Sequence, residues 1–86
     1  MSNYKEDWQI LASMVANASD IIIEAKEIKE DMLLKDDLNI SSLMSVNLVV
    51  DLEKAFDIKI RESDFSSILN VGDLWRLVIS RRSESS

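Results

Sequence analysis

The chain has 86 residues with one glycine, no proline and a formal net charge of −6. Its length and the scarcity of glycine and proline predict one small all-α domain, because long segments without these residues favour helix over a many-stranded sheet. Histidine and cysteine are both absent, so Ser-His and Cys-His nucleophile pairs, disulfides and the usual zinc sites are excluded, and we expect neither an enzyme nor a metal protein. The acidic excess repels nucleic acid phosphates and anionic lipid surfaces, and we expect the partner to be a protein.

The first predicted element is one long amphipathic helix over residues 4–25. Apolar side chains fall on one side of it at about 100° per residue: Tyr4, Trp8, Leu11, Met14, Val15, Ala18, Ile21, Ile22 and Ala25. The segment Asn17-Ala18-Ser19-Asp20 carries residues that cap helices and could split this helix in two. The apolar residues stay on the same side of the helix through this segment, so we predict a continuous helix.

A charged stretch of poor periodicity follows over residues 26–41, and we predict a long loop. Its apolar residues recur often enough to pin it onto a core: Ile28, Met32, Leu33, Leu38 and Ile40. A loop of this length in a compact domain is usually functional.

The second helix is predicted over residues 42–56, with Ser41 as its N-cap and Asp57 at its exit. Its apolar residues form two groups that one helix face cannot hold. Leu48, Val49, Leu52 and Phe56 form a core seam, and Leu43, Val46 and Val50 form a second group near the helix start. The second group is either an exposed docking surface or is buried between neighbouring helices.

The rest of the chain predicts a short connector and two further helices. Residues 58–60 read as an extended connector with Ile60 turned inward, and a short helix over 62–66 packs Phe65 inward. Asn70 caps a last helix over 71–81. We expect residues 1–82 to form the single domain and residues 83–86 to be a disordered tail.

One motif carries a resemblance to a known family. Asp37-Leu38 is followed by Ser42-Leu43 at a fixed spacing, and matching apolar and acidic positions continue from Val46 to Val71. With three main helices, one short helix and a long loop between helices one and two, this order resembles an acyl carrier protein over residues 32–79.

The resemblance implies a covalent cofactor and a set of protein partners. Ser42 would carry 4′-phosphopantetheine, attached from coenzyme A by a phosphopantetheinyl transferase that uses Mg²⁺. The thiol of that arm would hold acyl groups as thioesters for acyl-processing synthases or ligases, and the chain itself would need no catalytic residues. The implied docking residues are Asp37, Leu43, Val46, Asn47, Val50 and Asp51, with Glu53 as a further source of negative charge.

Three departures from the family pattern leave alternatives open. Ser41 stands where family members usually have aspartate, which could slow loading by the transferase. Met44 and Asn47 occupy places that are commonly acidic in carriers of general fatty acid synthesis, which hints at a polyketide-like or other specialised pathway.

The alternatives are a D-alanyl or aminoacyl carrier, an unmodified carrier-like adaptor, and an unrelated helical bundle. A peptidyl carrier is disfavoured, because Asn39-Ile40-Ser41 does not resemble the Gly-Gly-His common there.

The start of the chain and its hydropathy predict a location. The start, Met1-Ser2-Asn3-Tyr4-Lys5, lacks a basic segment followed by an apolar run, and no apolar stretch approaches the roughly 20 residues that span a bilayer. We therefore expect a cytoplasmic protein without stable membrane insertion, and we also expect a monomer.

Overall fold

The computed structural model describes residues 4–85 of the chain and the side chains of residues 4–82. Its elements are α1 (Tyr4–Ala18), a 3₁₀ turn (Ala25–Glu27), α2 (Ser42–Phe56), α3 (Glu62–Ser66) and α4 (Val71–Ser85). The predicted all-α class is confirmed, and the described residues contain no strand beyond an isolated bridge between Leu33 and Asn70. No helix within residues 4–85 is long and apolar enough to cross a membrane.

Helix α1 is shorter than the sequence predicts. It ends at Ala18 instead of continuing to residue 25, within the Asn17–Asp20 segment that the sequence marked as a possible break. The hydroxyl of Ser19 donates to the Ala16 carbonyl at 2.7 Å, and the N–H of Asp20 donates across the molecule to the Leu38 carbonyl at 3.2 Å. This tertiary hydrogen bond replaces the next one of the helix, and it leaves Ile21 and Ile22 exposed instead of buried.

The long segment between α1 and α2 is tied to the start of α4 by backbone hydrogen bonds. Leu34 N–H donates to the Leu69 carbonyl at 3.0 Å, and Gly72 N–H donates to the Glu30 carbonyl at 2.8 Å. A Cβ on Gly72 would lie 3.2 Å from that carbonyl oxygen, so glycine permits the close approach. The buried residues of this stretch are Ile28, Leu34, Leu38 and Ile40, whereas Leu33, predicted to help pin the loop, is turned outward.

The core lies between α1, α2 and α4 and is closed by the segments that connect them. Its largest fully buried side chains are Leu11, Val15, Leu38, Leu48, Leu52, Val71, Leu74 and Val78. Trp8 and Trp75 pack edge to face beside this core, with ring centroids 5.6 Å apart, an arrangement that aromatic rings favour.

Helix α2 and the connector after it form as predicted. Helix α2 begins at Ser42 and ends at Phe56, and Asp57 adopts the left-handed conformation at its C-cap with a φ of 54°. The Ile60 N–H donates to the Glu53 carboxylate at 2.9 Å, which turns Ile60 into the core.

Helix α4 begins at its predicted cap and extends beyond its predicted end. The Asp73 N–H donates to the Asn70 side-chain oxygen at 2.8 Å. The helix runs to Ser85 and not to residue 81, so residues 83–85 are helical, contrary to the predicted disordered tail, and Ser86 lies outside the described residues. The reason is tertiary: Arg82 pairs with Asp7 of α1, and its guanidinium lies 5.6 Å from the centre of the Phe56 ring, which holds the end of α4 against the bundle.

Two carboxylates stabilise the folded state in a pH-dependent way. The Arg81 guanidinium beside Asp64 lowers the pKa of that carboxyl from its usual 3.8. The Leu69 N–H and then the Arg76 guanidinium lower the pKa of Asp73. Because both pKa values are lower in the folded state, the stabilisation is complete above the unfolded value and is lost as the pH falls through the folded value.

We therefore expect Asp73→Asn to lower the Tm at neutral pH, and we expect this difference to disappear as the pH falls below the lowered pKa of Asp73, where the wild-type carboxyl is protonated as well. Thermal unfolding followed by circular dichroism across this range checks it. Asp51→Asn is the matched control, since the structure shows no hydrogen bond to Asp51 among the described residues and the change should be neutral at each pH. A Tm difference for Asp73→Asn that persists at the acid end would contradict the assignment.

Candidate functional site

Ser42 occupies the first position of α2, with an exposed side chain. The residue before it, Ser41, is extended, and its hydroxyl accepts the Met44 N–H at 3.2 Å. The Ser45 N–H donates to the Ser41 carbonyl at 2.8 Å. Ser41 is thus the predicted N-cap, and its hydroxyl is engaged in the helix, whereas the structure shows no hydrogen bond to the Ser42 hydroxyl within residues 4–85.

The turn that leads into Ser42 is held in place by buried side chains and by a polar contact. Leu38 and Ile40 are buried on either side of Asn39, which adopts the left-handed conformation with a φ of 53°, as asparagine tolerates. The Asp37 carboxylate accepts the Leu33 N–H at 2.8 Å. Asp37, a predicted docking residue, is therefore exposed but also closes the turn, and the turn fixes where the Ser42 hydroxyl emerges.

The two apolar groups of α2 lie on different faces. Leu48, Leu52 and Phe56 are buried. Leu43, Val46 and Val50 are 71%, 61% and 41% exposed, which excludes the alternative in which neighbouring helices of the chain bury both groups. We call these three side chains the outer α2 face.

The predicted polar docking residues differ in what they can offer a partner. Asn47 and Asp51 are exposed beside the outer α2 face. Glu53 is half-buried, and its carboxylate is engaged with the Ile60 N–H. The sequence analysis missed that Glu53 accepts a backbone hydrogen bond. This bond depends on the connector after α2 folding back toward Glu53, and the local sequence carries no signal for that fold.

The start of α2 suits a phosphate ester. The first N–H groups of a helix have no carbonyl of their own helix to bind, and the helix dipole places partial positive charge there. The first turn of α2 contains no acidic residue, so nothing on that turn opposes a phosphodiester on the Ser42 oxygen. The exposed Ser42 hydroxyl and the first turn of α2 therefore fit a phosphate ester such as that of phosphopantetheine.

Within the described residues there is no group of three or more acidic, histidine or cysteine side chains that could hold a metal ion. The chain contains no histidine or cysteine that could activate the Ser42 hydroxyl.

Comparisons with known proteins agree with this geometry. A family model for the phosphopantetheine attachment site matches residues 9–78. The chain is 37% identical over 60 residues to an acyl carrier protein of Prochlorococcus marinus (strain MIT 9515), an alignment that covers 70% of this chain and 75% of that protein. The chain belongs to the acyl carrier protein family. It is a carrier and not an enzyme, and its cofactor is a covalently attached 4′-phosphopantetheine.

Two further similarities extend over more of the carrier. It is 28% identical over 75 residues to the polyketide-8 synthase acyl carrier protein 2 of Streptomyces avermitilis, covering 87% of this chain and 84% of that protein. A solved structure of an acyl carrier protein from Enterococcus faecalis superposes with a TM-score of 0.76 at 30% identity, over 93% of this chain and 99% of that one. Membership of this family implies that the carrier interacts with a phosphopantetheinyl transferase and with acyl-processing enzymes.

Proposed function

We propose that Ser42 carries the phosphopantetheine arm and that the carrier holds acyl intermediates as thioesters on it. The observation that supports this most is the exposed Ser42 hydroxyl at the first position of α2, beside a Ser41 hydroxyl that is engaged as the N-cap. In the proposed reaction the Ser42 oxygen loses its proton and attacks the phosphorus of coenzyme A that bears the pantetheine. The new P–O bond forms the phosphodiester as the pyrophosphate bond of coenzyme A breaks, and adenosine 3′,5′-bisphosphate leaves. The attached arm supplies the thiol that the chain itself lacks.

Loading of the purified carrier tests this proposal. The protein is incubated with coenzyme A, Mg²⁺ and a broad-specificity phosphopantetheinyl transferase, and its intact mass is measured. We expect a gain of one phosphopantetheine per chain. A folded carrier that gains no mass, while another carrier is loaded in the same tube, would favour the unmodified adaptor.

The outer α2 face is our proposed docking surface for these enzymes. It borders Ser42 directly, and apolar side chains exposed to this extent contribute little to the fold of the carrier but bury readily against a partner. Asn47 and Asp51 lie beside it and supply polar contacts, and the exposed carboxylate of Asp37 supplies negative charge near Ser42.

We expect Val46→Glu to raise the KM of the transferase for the carrier by about tenfold or more, because the new charge would be desolvated in the interface without a partner. The fold should survive, since Val46 is 61% exposed. Steady-state loading kinetics and circular dichroism measure the two effects. Lys54→Gln, further along the exposed side of α2, changes the net charge by the same one unit and is the control for it. A collapsed helical signal in Val46→Glu would instead show that the fold depends on Val46.

The pathway served by the carrier is a finer proposal. We favour a fatty acid or polyketide-like pathway over a D-alanyl or aminoacyl one, supported by the relatives named acyl carrier proteins and by the polyketide synthase carrier among them. Met44 and Asn47 near the start of α2 make that end less acidic, which favours a specialised synthase. A test is the transfer of malonyl, acetyl or D-alanyl groups to the loaded carrier by purified enzymes of each class. The cytoplasmic location and monomeric state stay predictions.

A further inference from the structure

The segment that follows α1 exposes an isoleucine that does not pack against the core. Ile22 is 106% exposed, and Ile21 beside it is 41% exposed. Both were predicted on the buried side of a continuous first helix. Because the helix ends at Ala18, they instead lie in an irregular connection that directs Ile22 into solvent.

This segment lies at the same end of the bundle as Ser42. The Asp20 N–H donates to the Leu38 carbonyl at 3.2 Å, and the Asn39 amide lies 3.4 Å from the Asp20 carboxylate. Asp20 is two residues before Ile22, and Asn39 is three residues before Ser42. The turn that delivers Ser42 is therefore hydrogen-bonded to the segment that presents Ile22.

Of the expected partners, the transferase must contact this end of the carrier most closely, because its active site must reach the Ser42 oxygen itself. A specific interface buries about 800 Å² on each partner, which is roughly 30 Å across if the patch is round. The carrier measures 35 × 27 × 20 Å, so an interface of that size centred on Ser42 spans the end of the bundle.

We propose that Ile22 is a second apolar anchor for the phosphopantetheinyl transferase, separate in sequence from the outer α2 face and at the same end of the bundle as Ser42. This inference rests on Ser42 as the attachment site. The transferase would meet Leu43 and Val46 on α2 and Ile22 on the segment that follows α1. Two anchors on separate elements fix the orientation of the carrier better than one helix face, because a single face still allows rotation about the contact.

Loading kinetics of Ile22→Ser test the proposal at saturating coenzyme A, with a transferase that loads the wild-type carrier. We expect KM for the carrier to rise about five- to twentyfold, because the side chain loses its burial against the transferase, with kcat and Tm unchanged. Ile22→Leu keeps an apolar side chain and should restore KM to within about twofold of the wild type.

Ile10→Ser is the matched control. It makes the same chemical change at an isoleucine that is 42% exposed in the middle of α1, where serine and isoleucine have similar helix propensities. We expect its KM to equal that of the wild type. An unchanged KM in Ile22→Ser, or an equal rise in Ile10→Ser, would overturn the proposal while leaving Ser42 as the attachment site. A wild-type carrier that is never loaded on Ser42 would overturn both.

Discussion

Replacing Ser42 with alanine should abolish attachment of the phosphopantetheine arm, because no other hydroxyl has the same position at the start of α2. The loss should be complete within the detection limit of intact-protein mass spectrometry. The free energy of unfolding should change by less than about 0.5 kcal/mol, since Ser42 is exposed and the helix cap is the Ser41 hydroxyl, which accepts the Met44 N–H. Circular dichroism of the unloaded variant measures this second effect.

The neighbouring serines supply the controls for that experiment. Ser45→Ala should load normally. Ser41→Ala should keep the attachment site but lose about 1 kcal/mol of stability, as is typical when an N-cap hydroxyl is removed. Loading that persists in Ser42→Ala and disappears in either control variant would move the attachment site to that other serine.

The largest stability effect is expected in the core seam of α2. Leu52→Ala should lower the free energy of unfolding by about 2–5 kcal/mol, because Leu52 is 0% exposed and its truncation leaves a cavity between the helices. A loss of this size is a large fraction of the total stability of a small domain. Urea unfolding followed by circular dichroism measures it.

Leu43→Ala is the matched control for this second prediction. It is the same substitution on the same helix at a side chain that is 71% exposed, and it should cost less than about 0.5 kcal/mol. Equal losses in the two variants would contradict the division of α2 into a buried seam and an outer face.

Much of the fold is predictable where local signals and packing agree. Helix α2 starts and ends at its predicted residues because Ser41 caps it and Asp57 takes the left-handed conformation after it. Asn70 caps α4 in the same local way. Such signals depend on side chains within three or four residues of the helix end, so they can be read without knowledge of the fold.

The errors arise where tertiary contacts override the local pattern. The apolar phase of the first segment runs through Ile22, but the Leu38 carbonyl draws the Asp20 N–H away from the helix. The opposite happens at the end of α4, where Arg82 contacts Asp7 and Phe56 and the helix continues past its predicted end. Both outcomes depend on residues far away in sequence, which periodicity cannot show.

Some features of the candidate site are likewise predictable from the sequence, and others depend on tertiary contacts. The position of Ser42 at the start of α2 and its cap follow from the motif. The two-sided pattern of α2 leaves open whether Leu43 is exposed, and only the structure shows that it is. The placement of Ile22 beside that end of the bundle depends on a hydrogen bond between residues 20 and 38, and the engagement of Glu53 depends on the return of the connector. These two features need the folded chain.

The most direct test of the central proposal is to locate the phosphopantetheine on the loaded carrier. After loading with coenzyme A, Mg²⁺ and the transferase, the protein is digested, and the modified peptide is fragmented by tandem mass spectrometry, which separates Ser41, Ser42 and Ser45 by sequence ions. We predict one phosphopantetheine, on Ser42 alone. A modified peptide whose fragments place the group on Ser41 or Ser45, with Ser42 unmodified, would contradict the account.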